Sequence, residues 1–180
     1  DVAARRSIMT GLSQLPGHIS QANAQKFHTE YFEVDWHAGA RPSHRTWQGK
    51  VWSYRELVTV CGLGTVTGLQ GVNCYHEYYP FIPGISERQF SDGWLAEQNR
   101  KEDIAKTFRG KKYTLYEATQ RQRYLETNMR AQRQKVRLLQ QAGASQDDII
   151  LARCKYHAQL VEYKALCKRL GLQEQRDRFY

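Results

Sequence analysis

Two heptad-like patterns in the C-terminal half limit the fold of this chain more than any other feature of its sequence. In the first, apolar or glutamine residues recur every three or four positions from Leu115 to Leu139, and in the second the same spacing runs from Ile149 to Leu170. Only a short segment around Gly143 separates them. Two such helices joined by so short a link fold back as an antiparallel, coiled-coil-like hairpin. At ~1.5 Å per residue each helix would be about 35–45 Å long.

The helix ends follow from capping residues. Ser145 precedes two acidic residues and can cap the second helix, and Gly171 fits its C-terminal end. From about Ser91 onward the whole C-terminal region is predicted to be helical.

The N-terminal half mixes helix and strand patterns. Residues 2–28 carry a helical spacing of Ile8, Leu12, Leu15 and Ile19, which Pro16-Gly17 is predicted to divide or kink. Residues 32–36 and 51–54 are predicted strands, and the glycines between 62 and 71 indicate a connecting loop. We therefore predict an α+β fold, with an N-terminal helix and a small irregular α+β domain over residues 1–92 and a basic helical hairpin over residues 93–180.

Positive charge is concentrated in the predicted hairpin. The 180-residue chain has a formal net charge of +9, and residues 100–142 hold twelve Lys or Arg against four acidic residues. A basic helix indicates an anionic partner, either nucleic acid or an acidic protein surface, although a solvated helix face has the same pattern. The candidate contact residues are Arg121, Arg123, Arg130, Arg133, Lys135 and Arg137. No run of about 18 apolar residues is present, so no membrane-spanning segment is predicted.

Residues 36–88 hold the candidate site. Half of the six histidines lie there, with three of the four tryptophans and two of the four cysteines. His37 and His44 precede the Gly-rich loop and Cys74 and His76 follow it, which is the two-pair arrangement of many structural zinc sites. The spacings differ from those of common zinc fingers. The alternative is that these side chains make structural hydrogen bonds beside the aromatic residues.

Other chemistry is possible in the same stretch. Cys74 and His44 could form a nucleophile–base pair, although nothing in the sequence orders a third member. The aromatic residues could stack on bases, with Arg41 and Lys50 as nearby cations, but aromatic residues more often form the core of a small domain. Four cysteines do not make a disulfide framework, which favours a reducing, intracellular setting.

Two long motifs lie in this stretch. The first, over residues 37–50, is His-x-Gly-Ala-Arg-Pro-x-His-x-x-Trp-Gln-Gly-Lys, and the second, over residues 71–86, is Gly-x-Asn-Cys-x-His-x-x-Tyr-Pro-Phe-x-x-Gly-Ile-Ser. These motifs resemble those of a known family, the phage minor capsid proteins of the "minor capsid protein 2" type, which act in head morphogenesis. The helical region at residues 116–123 and the upstream Arg5-Arg6 to Gly11-Leu12 are also similar. Residues 53–61 do not align with the family pattern.

The resemblance implies a virion component, present in the host cytoplasm during assembly and associated with the portal and the packaged DNA. Members usually have a longer N-terminal region, so we expect residues before Asp1. Related Mu-type head proteins carry Cys-x-Cys where this chain has Cys74-x-His76, an exchange that a zinc site tolerates.

Three functions therefore stay open at this point. The first is a structural protein of a multi-subunit phage head, acting in head assembly or in genome packaging and delivery. The second is a virion-delivered, nuclease- or transferase-like enzyme that uses His44, Cys74 and His76. The third is a non-specific DNA-binding module.

Overall fold

The computed structural model describes residues 2–179, except for the side chains at positions 2, 3, 5, 6, 9, 10 and 13. The fold is α+β, with 56% of the residues in helices and with small antiparallel sheets. The chain divides into two compact units, Asp1–Lys101 and Glu102–Tyr180. None of the described helices combines the length and hydrophobicity that a bilayer crossing requires.

The first unit is built from four helices and a three-stranded sheet. The helices are α1 (Val2–Lys26), α2 (Pro42–Arg45), α3 (Tyr54–Thr59) and α4 (Asp92–Asp103), and the strands are β1 (Tyr31–Val34), β2 (Val51–Ser53) and β3 (Tyr78–Phe81). The last two residues of α4, Glu102 and Asp103, already belong to the second unit. The sheet order is β2-β1-β3, and both pairings are antiparallel. The core packs Phe32 and Val34 of the central strand against Trp47, Leu57 and Leu69.

The predicted strands are present but shorter. The first ends at Val34 rather than Trp36, and the second ends at Ser53 because that residue caps α3 in a reciprocal capping box with Glu56. The third strand, β3, was not predicted, and it contains Pro80, a residue that is confined to certain positions in sheets. Pro80 is tolerated because β3 is an edge strand of this sheet.

Of the two outcomes predicted for Pro16-Gly17, a divided helix or a kinked one, the divided helix is wrong. The structure has one helix, α1, and Pro16 lies inside it. Proline removes one backbone hydrogen bond, which leaves the carbonyl of Leu12 to be solvated on an exposed turn. The C-terminal half of α1 is held on the sheet through buried Ser20 and Ala24, which stabilises the helix beyond the proline.

The second unit is a helical hairpin with a small β-hairpin at its base. The strands are β4 (Lys106–Phe108) and β5 (Lys111–Tyr113), and the long helices are α5 (Leu115–Gln141) and α6 (Gln146–Leu170). The prediction of continuous helix from about Ser91 is therefore wrong for residues 104–114. Arg109 and Gly110 both have positive φ, the geometry of a type I′ turn that brings two strands together. Beyond Gly171 the described chain is also non-helical except for a 3₁₀ turn, Arg176–Arg178.

The predicted helical hairpin is confirmed. On α5 the heptad positions from Ala118 to Met129 are buried and those from Gln132 to Leu139 are half-buried, and on α6 Ile149, Tyr163 and Leu170 are buried. Ser145 caps α6 by accepting a hydrogen bond from Asp148 N, and Gly171 ends it with φ 74°.

A buried polar network fastens the C-terminal tail to this hairpin. The hydroxyl of Tyr163 accepts the backbone N–H of Gln175 at 2.7 Å and donates to Glu126 Oε1 at 3.3 Å. Gln122 Nε2 donates to Gln173 O at 2.7 Å. Burial raises the pKa of Glu126, and Arg178, 3.7 Å away, opposes that rise.

The raised pKa of Glu126 predicts a particular pH dependence of stability. Its folded-state pKa lies above the unfolded value, so its contribution to the free energy of unfolding is present below about pH 4.5 and is lost as the pH rises through the folded pKa. The free energy of unfolding falls by about 1.4 kcal/mol for each unit of pH between the unfolded-state pKa and the folded-state pKa. Glu126→Gln should therefore gain stability relative to the wild type between pH 4 and 7, in urea unfolding followed by circular dichroism.

Glu117 is the matched comparison, because its capping interaction with Thr114 lowers its pKa. Its contribution is present above the unfolded pKa and is lost as the pH falls, so Glu117→Gln should lose stability relative to the wild type as the pH rises. The same pH trend for both variants would contradict the assignment.

Candidate metal centre

Three of the four predicted ligands meet in the buried centre of the first unit. The imidazoles of His44 and His76 and the thiol of Cys74 place one ligand atom each within 4.8 Å of one another, and all three residues are buried. His44 lies on α2, and Pro42 occupies the first position of that helix. Cys74 follows Asn73, which has positive φ, and His76 immediately precedes the approach to β3. The fold thus closes a loop of about thirty residues onto itself at this cluster.

The distances between the three ligand atoms suit a tetrahedral ion. The two Nδ1 atoms of His44 and His76 are 3.4 Å apart, and Cys74 Sγ lies 3.6 Å from His76 Nδ1 and 3.9 Å from His44 Nδ1. Two nitrogens bound to one tetrahedral zinc would be about 3.3 Å apart, and a nitrogen and a thiolate about 3.6 Å, given bond lengths of ~2.0–2.1 and ~2.3 Å. The cluster therefore has the size of a metal site.

The proton positions also leave the ligand atoms available. His44 Nε2 lies 2.9 Å from Thr67 O, a carbonyl that only accepts, so this nitrogen carries the proton. His76 Nε2 lies 2.7 Å from Gln48 Oε1, and the same oxygen accepts the backbone N–H of His37. Both Nδ1 atoms consequently present lone pairs to the centre. Carbonyl partners that fix the tautomer in this way are typical of metal-binding histidines.

Burial keeps the cluster uncharged without an ion. Burial lowers the pKa of His76 to about 3, with smaller contributions from His37, His44 and Arg41, and it also lowers the pKa of His44. Burial raises the pKa of the Cys74 thiol, which hydrogen bonds from the backbone of His76 and Gln70 partly oppose. A cation at the centre would instead favour the thiolate form of Cys74, because a coordinating thiol is deprotonated.

His37, the fourth predicted ligand, stands beside the cluster and faces elsewhere. Its Nε2 lies 3.0 Å from both Asp35 Oδ2 and Tyr75 O, and the hydrogen bond to Asp35 raises the pKa of His37. Its ring is nevertheless only 4.8 Å from the ring of His76, measured between centroids.

The geometry does not favour Cys74 as a nucleophile. The thiol is 4% exposed and its pKa is raised, whereas a reactive cysteine needs an accessible thiolate. The aromatic side chains and Arg41 have structural contacts. Trp47 packs on His44 at 4.4 Å between centroids, and Arg41 donates to Thr67 O and Val72 O, which fixes the Gly-rich loop. Lys50 donates to Thr46 O.

The sequence comparison gives the family. The sequence profile of the family described as "Phage minor capsid protein 2" matches residues 1–165. The chain belongs to the phage minor capsid protein 2 family. No curated protein and no solved structure matches it significantly. Membership implies a virion component of a multi-subunit assembly.

In this family member the six candidate basic residues do not share one face of α5. Arg123, Arg130 and Arg137 are exposed and recur every seven residues, so they form one stripe, which we call the arginine stripe. Arg121 packs over Tyr124, Arg133 donates to Phe179 O, and Lys135 lies on another side of the helix. The stripe, rather than the whole set, is the candidate contact surface.

Sequence reasoning missed Gln48 and Thr67 as supports of the site. Gln48 is part of the first family motif, four residues after His44. Its position in the sequence does not indicate that its side chain orients His76, which belongs to the second motif. Thr67 contributes only a backbone carbonyl, which no side-chain pattern can indicate.

Gly68 is predicted to be essential for this loop. A Cβ at Gly68 would overlap the carbonyl of Gly62 and would displace the adjacent Thr67, which holds His44. Gly68→Ala should destabilise the first unit by about 1–3 kcal/mol, the usual range for overpacking. Thermal unfolding followed by tryptophan fluorescence measures this, since all four tryptophans lie between residues 36 and 94.

Gly11→Ala is the control, because a Cβ at Gly11 meets nothing within 4 Å and the site is an exposed helix interior. It should raise stability by about 0.5–1 kcal/mol. A Gly68→Ala variant as stable as the wild type would contradict the close packing of the loop.

Proposed function

We propose that this protein is a structural component of a phage head, associated with the portal and the packaged DNA, which acts in head assembly or in genome packaging and delivery. The family match over residues 1–165 carries the proposal. The chain would be made in the host cytoplasm and be incorporated into the head there. Its two units would have separate roles, a metal-stapled domain in the first and a charged contact surface in the second.

In the first unit, zinc is the ion that the donor set fits best. Two imidazole nitrogens and a thiolate are its preferred ligands, and a soft thiolate disfavours magnesium and calcium. Because the three donors are buried, the ion would staple the Gly-rich loop to α2 and β3 and would have no route to a substrate. The role is structural, as in sites where metal binding supplies folding free energy.

His37 is the proposed fourth ligand. Its ring adjoins that of His76, and turning it away from Asp35 would bring a third nitrogen, the fourth ligand atom, toward the centre. Three protein ligands would otherwise leave a position for water.

Elemental analysis of the purified protein tests the zinc site. We expect about one zinc per chain, and saturation at ~100 times the dissociation constant should stabilise the first unit by about 2.7 kcal/mol. His76→Asn should lose the metal, and His157→Asn, an exposed histidine on α6, should keep it. Cobalt substitution should give a thiolate charge-transfer band that Cys74→Ser abolishes.

The same assay separates the ligand sets. Loss of zinc affinity in His37→Asn supports the fourth ligand, whereas unchanged affinity assigns that position to water. A wild-type protein that takes up no zinc or cobalt and gains no stability from either would refute the metal site while leaving family membership intact.

In the second unit, the arginine stripe would bind DNA phosphates or an acidic portal surface without reading sequence. Its three guanidinium groups recur about every 10.5 Å along α5, which is ~1.5 Å per residue over seven residues. The hydrogen bond described for Arg130 goes to the hydroxyl of Thr127. A hydroxyl carries no charge, so this contact does not neutralise the guanidinium of Arg130.

The salt dependence of duplex DNA binding tests the stripe. Arg123→Gln/Arg130→Gln/Arg137→Gln should reduce the slope of log affinity against log salt by up to about 2.7, or ~0.9 for each lost phosphate contact. The control Arg55→Gln/Lys111→Gln/Lys112→Gln removes the same charge from exposed positions elsewhere. Equal losses in both variants would mean that net charge alone drives binding. DNA binding that is weak and insensitive to salt would instead favour the portal surface.

A further inference from the structure

The N-terminal helix presents four large apolar side chains to solvent. Ile8, Leu12, Leu15 and Ile19 follow the four-three-four spacing of a heptad seam, and they are 62, 54, 54 and 62% exposed. We call these four side chains the α1 seam. Scattered exposed apolar residues are ordinary, but a contiguous stripe along one helix face marks an interaction site.

The seam cannot turn inward, because another face of α1 is already fixed on the sheet. That face consists of small residues, Gly17, Ser20 and Ala24, which let the helix approach closely. A Cβ at Gly17 would overlap the amide of Gln70. Gln21 Nε2 also donates to Tyr78 OH at 2.8 Å, which sets the rotation of the helix.

The spacing of the seam identifies the shape of its occupant. Alternating steps of three and four residues keep side chains in line with a second helix that crosses at a small angle, and the pattern continues in phase at Ala22 and Lys26. A helix with a matching apolar stripe therefore fits this surface better than a strand or a loop.

Charge decides between a second copy of this chain and a different protein. No acidic residue occurs from Val2 to Thr29, whereas Arg5, Arg6 and Lys26 are cationic. Lys26 is in phase with the seam, so two parallel copies would place it against itself. Two antiparallel copies would place it near Arg5, since that position is also in phase. Like charges at both ends disfavour self-pairing.

We propose that the α1 seam is a docking site for an amphipathic helix with acidic flanks, supplied by another protein of the assembly. The partner's apolar stripe would cover Leu12 and Leu15, and its carboxylates would pair with the cations of α1. The α1 seam shares no residue with the zinc site or with the arginine stripe.

The test uses two synthetic helical peptides of about 21 residues, or three heptads, with the same leucine seam and either Glu or Lys at the flanking positions. Fluorescence anisotropy measures their binding to the full chain. The Glu peptide should bind, and the Lys peptide should bind at least about tenfold more weakly, which is ~1.4 kcal/mol.

The variants separate the seam from general stickiness. Leu12→Ser/Leu15→Ser should weaken the Glu peptide at least about tenfold, as expected for central apolar anchors. Leu138→Ser/Leu151→Ser is the matched control, because both leucines are 55% exposed on the other unit, and it should bind as the wild type does. Lys26→Glu leaves the seam intact, and it should weaken the Glu peptide and strengthen the Lys peptide.

Three results would overturn the proposal. The first is equal binding of both peptides, and the second is no binding of either by the folded chain. The third is a dimer in sedimentation analysis that Leu12→Ser/Leu15→Ser dissociates, because the occupant would then be a second copy.

Discussion

The first unit depends on the way two carbonyl oxygens orient two buried imidazoles. Thr67 O and Gln48 Oε1 each accept a hydrogen bond from an Nε2–H group, so that the Nδ1 atoms of His44 and His76 converge on Cys74. The thiol proton of Cys74 can be donated to only one of these two Nδ1 atoms, so the other lone pair would stay unsatisfied in a buried environment. An ion at the centre would convert that cost into a link between the loop, α2 and the sheet.

The second unit is stabilised by helix packing and by a buried polar network. Its two long helices cover each other along an apolar seam, but Gln122, Glu126 and Tyr163 interrupt that seam with polar groups. These groups are satisfied because the C-terminal tail folds back and supplies backbone partners, including Gln175 N. The buried polar network therefore fixes the tail, which an all-apolar seam would leave without a specific position. Because these polar groups lie inside the hairpin, its outer faces are left to carry charged side chains.

The accuracy of the sequence predictions varied with the range of the interactions involved. The heptad spacing predicted α5 and α6, and Ser145 and Gly171 marked their ends, because helices and caps depend on residues within one or two turns. The β-hairpin at residues 106–113 was missed, since its alternation spans only three residues on each side of the turn. Pro16-Gly17 was expected to divide or kink the N-terminal helix. The helix is not divided, because its next turns pack on the sheet.

The sequence by itself determined the helical hairpin, the concentration of positive charge, the presence of a His/Cys cluster and the family. Those features follow from local spacing, composition and motifs. Only the tertiary structure decided which side chains meet. It brought His44, Cys74 and His76 together, turned His37 toward Asp35, and left the α1 seam exposed while small residues packed on the sheet. Such choices depend on contacts between residues far apart in the chain, where side-chain shape and hydrogen bonding outweigh hydrophobic periodicity.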